Sequence, residues 1–169
     1  MNAKHLAMFL LGLGLVPLVG DWDANGTDTI GLYNPSTSAF FLRNSNTPGA
    51  ADVVFTYGPA NTTPVVGDWD GNGTDTIGVF VGSTSTFFLR NSNSPGAADL
   101  AFAFGPAGAG WTPVIGDWNN DNADTVGLYQ PNAGNFFLRN SNTPGAASTV
   151  FGYGPPSGVM PLRGDWNNQ

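Results

Sequence analysis

Oxygen-bearing side chains crowd one recurring loop of this chain. It reads Asp21-Trp22-Asp23-Ala24-Asn25-Gly26-Thr27-Asp28, returns as Asp68-Trp69-Asp70-Gly71-Asn72-Gly73-Thr74-Asp75, and returns again as Asp117-Trp118-Asn119-Asn120-Asp121-Asn122-Ala123-Asp124. Oxygens at loop positions 1, 3 and 5, with Gly or Asn at position 6 for a left-handed turn, are how a short loop wraps a hard cation. The candidate metal ligands are therefore Asp21, Asp23, Asn25 and Asp28, then Asp68, Asp70, Asn72 and Asp75, then Asp117, Asn119, Asp121 and Asp124. Ca2+ takes roughly six to eight oxygens, which carboxylates and a backbone carbonyl can supply. The same residues have a purely structural use. Asp and Asn side chains cap nearby backbone N–H groups, and Asn-Gly favours a tight hairpin. In either use the Trp at position 2 points the other way, toward a core. The third loop has Asn at position 3 and no Gly at position 6, a weaker cation pattern. A fourth Gly-Asp-Trp, Gly164-Asp165-Trp166, is followed only by Asn167-Asn168-Gln169.

Other chemistry is thinly provided for. The chain has no Cys and no Glu, and His5 is its only His, outside the repeated region. That excludes disulfides, thiolate metal sites and a Cys nucleophile. Pairs of Asp could act as acid and base. They recur in every unit, however, whereas an active site is single, so the expectation is a protein that is not an enzyme. The net charge is −7, and the basic residues Lys4, Arg43, Arg90, Arg139 and Arg163 form no cluster in sequence. A phosphate backbone needs a basic stripe, so nucleic acid is not an expected partner. The apolar run Leu6 to Val16 is too short and Gly-rich for a membrane span.

The loops sit in a larger period. Gly-Asp-Trp begins at Gly20, Gly67, Gly116 and Gly164, in steps of 47, 49 and 48 residues. Phe-Phe-Leu-Arg-Asn-Ser-Asn follows from Phe40, Phe87 and Phe136, and an aromatic-Gly-Pro triplet closes each unit at Tyr57, Phe104 and Tyr153. Such a period is the signature of a repeat architecture. With 37 Gly plus Pro, few helix formers and 12 Phe among many Val, Ile and Thr, the units must be built of strands. In the second unit the pattern predicts strands over Pro64–Trp69, Thr76–Phe80, Thr86–Arg90 and Leu100–Phe104, the last with clear alternation. The expected fold is all-β: tandem four-stranded repeats of about 48 residues, arranged as β-propeller blades in a partial propeller or open array. A β-trefoil is the alternative. The units run 20–66, 67–115 and 116–163, and 164–169 starts an incomplete one. Residues 1–19 read either as a leading half-repeat, with Ala7–Gly12 matching Val53–Gly58, or as a signal-like segment.

Gly67-Asp-Trp-Asp-Gly-Asn-Gly-Thr-Asp-Thr-Ile-Gly78 and its copies, each followed by Phe-Phe-Leu-Arg, resemble the FG-GAP/VCBS-type repeats of integrin-α-like β-propellers, in the secreted bacterial style. The likeness covers nearly the whole chain. It implies a blade-like fold, an acidic loop that holds Ca2+ as a structural clamp, and an extracellular or cell-surface protein serving binding or adhesion. By position the implied ligands fall on Asp21, Asp23 and Asn25, on Asp68, Asp70 and Asn72, and on Asp117, Asn119 and Asp121. The last Asp of each loop comes one residue earlier than in that family.

Three units are fewer than the roughly four to eight that close a propeller. The count predicts a ring shared between chains, an open array, or a piece of a longer protein, and unpaired ends that self-associate. The expected function is that of a non-catalytic extracellular structural or adhesive repeat protein forming an oligomer or fibre. The alternative is a lectin-like module for glycans or surface proteins, with Trp111 and the loops 44–49, 91–96 and 140–145 as contacts.

Overall fold

The computed structural model describes residues 14–162. The segment matched to Val53–Gly58, Arg163 and the fourth Gly-Asp-Trp lie outside the described residues.

Twelve strands form three four-stranded antiparallel sheets in tandem. The first comprises β1 Val16–Gly20, β2 Thr29–Asn34, β3 Ala39–Leu42 and β4 Val53–Thr56. The second comprises β5 Thr63–Gly67, β6 Thr76–Val81, β7 Thr86–Leu89 and β8 Leu100–Ala103. The third comprises β9 Thr112–Gly116, β10 Thr125–Gln130, β11 Asn135–Leu138 and β12 Thr149–Gly152. Each sheet is a plain meander in chain order. The first strand of each precedes its Gly-Asp-Trp triplet. The expected second-unit strands are all present, with β5 and β7 ending short of Trp69 and Arg90. Both ends have a cause. The Asp68 carboxylate turns back to bind its own loop, and the Arg90 guanidinium turns to hold the next one. Among the described residues there is no helix and no closed barrel, and no helix long and apolar enough to cross a membrane.

Side chains on directly paired residues share a face. One face of the first sheet, here called trailing, carries Tyr33, Phe40 and Phe55 from one paired row and Leu18, Leu42 and Val53 from another. Their rings pack in series, Tyr33 to Phe40 at 4.6 Å and Phe40 to Phe55 at 5.5 Å between centroids. The opposite, leading face of the second sheet carries Val66, Ile77, Val79 and Phe88. These two faces, with Trp22 and Tyr57, make one core. The second core repeats the plan, with Trp69, Phe80, Phe87, Phe102 and Phe104 against Ile115, Val126 and Leu128. The core therefore lies between units. At about 1.5–3 kcal/mol per buried large side chain, a pair of faces can hold two sheets together. A lone sheet buries neither face. The first strands adjoin one another, β1 beside β5 and β5 beside β9, and border a common hollow of about 1310 Å³.

The Gly-Asp-Trp triplet follows from this packing. The Trp22 indole folds back over β1, and a Cβ on Gly20 would sit 2.9 Å from that ring and 2.9 Å from Cβ of Asp75 in the next unit. Gly67 is crowded in the same way by Trp69 and Asp124.

Candidate functional site

The Asp loops are folded around their own first residue. The Asp21 carboxylate accepts the N–H groups of Asn25 at 3.1 Å and Gly26 at 2.7 Å, and Asn25 Oδ1 accepts the Thr27 N–H at 2.9 Å. Asp68 accepts from Asn72 and Gly73, and Asn72 from Thr74, at nearly the same distances. In the third loop Asp117 accepts from Asn119, Asp121 and Asn122, while Asp121 accepts from Ala123 and from the Asn119 side chain. Burial works to raise the Asp117 pKa, but the backbone N–H groups of Asn122, Asp121, Asn119 and Asn120 outweigh it and hold the carboxyl below its ordinary 3.8. Hydrogen bonding to the charged form has that sign.

Position 6 of each loop is left-handed, as the cation pattern expects, with φ of 81° at Gly26, 86° at Gly73 and 70° at Asn122. Position 4 is left-handed too, at Ala24, Gly71 and Asn120. Ala24 is the poorest residue for that backbone. Ala24→Gly is expected to raise stability by about 1 kcal/mol, read as a higher chemical denaturation midpoint. An unchanged or lower midpoint would contradict the strain at this position.

The last Asp of each loop is not part of that cluster. The Asp75 carboxylate reaches back to the first loop and accepts the Asp21 N–H at 2.9 Å, while the Asp75 N–H donates to the Asp21 carbonyl at 2.8 Å. Asp124 does the same to Asp68, at 3.1 and 2.7 Å. These reciprocal pairs clasp each unit to the one before it. Asp75 and Asp124 are buried, whereas Asp28, at the start of the series, is exposed. This use differs from the metal-ligand role expected of Asp75 and Asp124, and its signal in the sequence is position: the last Asp sits directly before a strand in all three copies, off the alternation of positions 1, 3 and 5.

Of the twelve expected ligands, the structure thus joins Asp21 to Asp75 and Asp68 to Asp124 across units, while Asp23 and Asp70 stand exposed in their loops. Among the described residues, no three His, Cys, Asp or Glu side chains gather into a metal-holding group. The first Asp of each loop accepts backbone N–H groups of that loop.

The polar loops also have an internal organiser. Arg43 Nε donates to the Thr47 carbonyl at 2.7 Å, and its guanidinium also holds the carbonyls of Pro48 and Ala50. Arg90 and Arg139 repeat the cradle. Asn46, Asn93 and Asn142 each donate to the carbonyl of the last Asp, so the polar loop braces the Asp loop of its own unit. Trp111 is half-buried and stacks on Phe137 at 4.6 Å, at the edge of the second core.

Tyr57 closes the first core. Burial, countered by Arg90 and reinforced by Asp99, pushes its phenol from 10.0 up to about 12. A raised pKa means that stability is held below pH 10 and lost as pH rises through the folded value. The phenolate absorbance missing from Tyr57→Phe is expected to develop near pH 12, and a missing step at pH 10 would contradict the buried placement.

Comparison with protein-family models, with curated proteins and with solved structures gives no match.

Proposed function

We propose that this is a non-catalytic structural repeat protein, extracellular or cell-surface, whose blade-like units associate beyond the single chain into a ring or fibre. The observation that carries it lies at the two ends of the described residues. Each unit is completed by its neighbour, yet Val19 and Ile30 at one end and Phe151 and Tyr153 at the other stay exposed. Apolar surface of this kind marks a site of association. The committed Asp carboxylates support the non-catalytic reading, because in each loop they hold backbone N–H groups and are repeated rather than single. The meander sheets with adjoining first strands support propeller-type blades of the FG-GAP/VCBS kind.

The experiment is an electron micrograph of the purified chain. Rings or fibres are the expected result, and isolated particles the size of one chain would overturn the reading. Calcium, which the family likeness attaches to these loops, is tested separately. Because N–H groups already hold Asp21 and Asp68, millimolar Ca2+ is expected to leave the thermal midpoint where a chelator leaves it. A rise with Ca2+ would show the loops to be cation sites.

A further inference from the structure

We propose that the trailing face of the third sheet binds the leading face of the first sheet of a second copy of this chain, head to tail, in the register of the two internal interfaces. This rests on the self-association reading and names its surfaces and partner. Four matched features carry it.

The first is the apolar row on the trailing face. Phe55 and Phe102 are 7% and 5% exposed under the following sheet, but their counterpart Phe151 is 44% exposed, and Tyr153 is 76% exposed where Tyr57 is 5%. The second is the opposing row. Val66 and Ile77 are 8% and 0% exposed, as are Ile115 and Val126 at 7% and 0%, whereas Val19 and Ile30 in the same register of the first sheet are 56% and 55% exposed.

The third feature is a knob and its hollow. A Cβ on Gly58 would lie 2.7 Å from Val79, and one on Gly105 2.4 Å from Leu128, so each glycine is closely packed by the following unit. Gly154 keeps the same left-handed backbone, at φ 83°, with nothing within 4 Å. Leu32 holds the register position of Val79 and Leu128 in the first sheet, opposite Pro17 as they stand opposite Pro64 and Pro113. The fourth is the clasp. Gly20 and Gly67 each have an Asp Cβ of the next unit at 2.9 Å, while Gly116 has only its own Trp118 that close. Asp28 is exposed and Asp117 has no following unit among the described residues.

One chain therefore carries both halves of an interface it has already built twice. A partner of other chemistry would need only one half, and would have no reason to match Leu32 to Gly154 or Asp28 to Asp117. The contact is heterologous, so repeated use closes a ring or extends a filament.

The test blocks one half at a time in the full chain. Ile30→Asp blocks the head and Phe151→Asp the tail, with Val19→Asp and Tyr153→Asp as second variants at each end. All four positions are exposed, so the circular dichroism melt of the single chain is expected to be retained. Each variant alone is expected to lose about 100-fold in self-affinity, because a carboxylate would be buried without a partner. Mixing a head-blocked with a tail-blocked variant is expected to give a one-to-one dimer and nothing larger. If the variants assemble like the wild type, association uses another surface: the head-to-tail contact is overturned and self-association stands. A failure of the mixture to pair, with the wild type assembling, overturns it equally. A wild type that never assembles overturns both.

Discussion

Gly105→Ala is expected to destabilise the chain by about 3 kcal/mol, and Gly154→Ala, the same change one unit later, by only about 1. Both glycines have φ of 83°, so both variants meet the left-handed backbone penalty. Only Gly105 is overlain by the next sheet, where the new Cβ would meet Leu128 at 2.4 Å, and Leu128 is fully buried with little room to move. The difference between the two variants therefore measures the packing of one unit on the next, with the backbone effect cancelled. Urea denaturation of the dilute, unassembled chain reads it. Equal losses would mean that the interface between the second and third sheets is looser than described. In the assembled protein Gly154→Ala takes on a second effect. It should weaken association as well, because Leu32 of a neighbouring copy would then approach the added methyl.

Asp124→Ala is expected to cost about 2–3 kcal/mol, and Asp75→Ala a similar amount, while Asp28→Ala changes the dilute chain by less than about 0.5 kcal/mol. Removing the carboxylate of Asp124 leaves the part-buried Asp68 N–H without its acceptor. The loss is of a hydrogen bond to a charged group between two units, so it should appear as earlier separation of the third sheet. Asp28 lies at the leading end and is exposed, so its removal takes no such bond from the single chain. Hydrogen exchange at the Asp21 and Asp68 amides gives the local readout. Asp75→Ala should expose the first and Asp124→Ala the second. Full protection retained in either variant would contradict the clasp.

Much of the fold is legible in the sequence because the repeat supplies it three times over. Alternation in Leu100 to Phe104 and the Gly-Pro punctuation set the strands to within two residues, and the left-handed position 6 follows from Gly26, Gly73 and Asn122. What could not be read is contact between units. Asp75 lies close to Asn72 in sequence, which suggests one shared loop, yet its carboxylate binds Asp21, 54 residues away. Nothing in a linear pattern distinguishes an oxygen aimed into its loop from one aimed across an interface. The same holds for Trp111, whose isolation in sequence suggests a surface contact but whose ring lies on Phe137. Arg43, Arg90 and Arg139 form no cluster in sequence, and each is the centre of its own polar loop.

Among the described residues, Val19 and Ile30 on the leading face and Phe151 and Tyr153 on the trailing face stay exposed. Light scattering of the wild-type protein over a dilution series reads whether a second copy covers them. A mass several times the 17.6 kDa of one chain is expected, falling toward that value on dilution and in Phe151→Asp. A mass of 17.6 kDa at every concentration would contradict it.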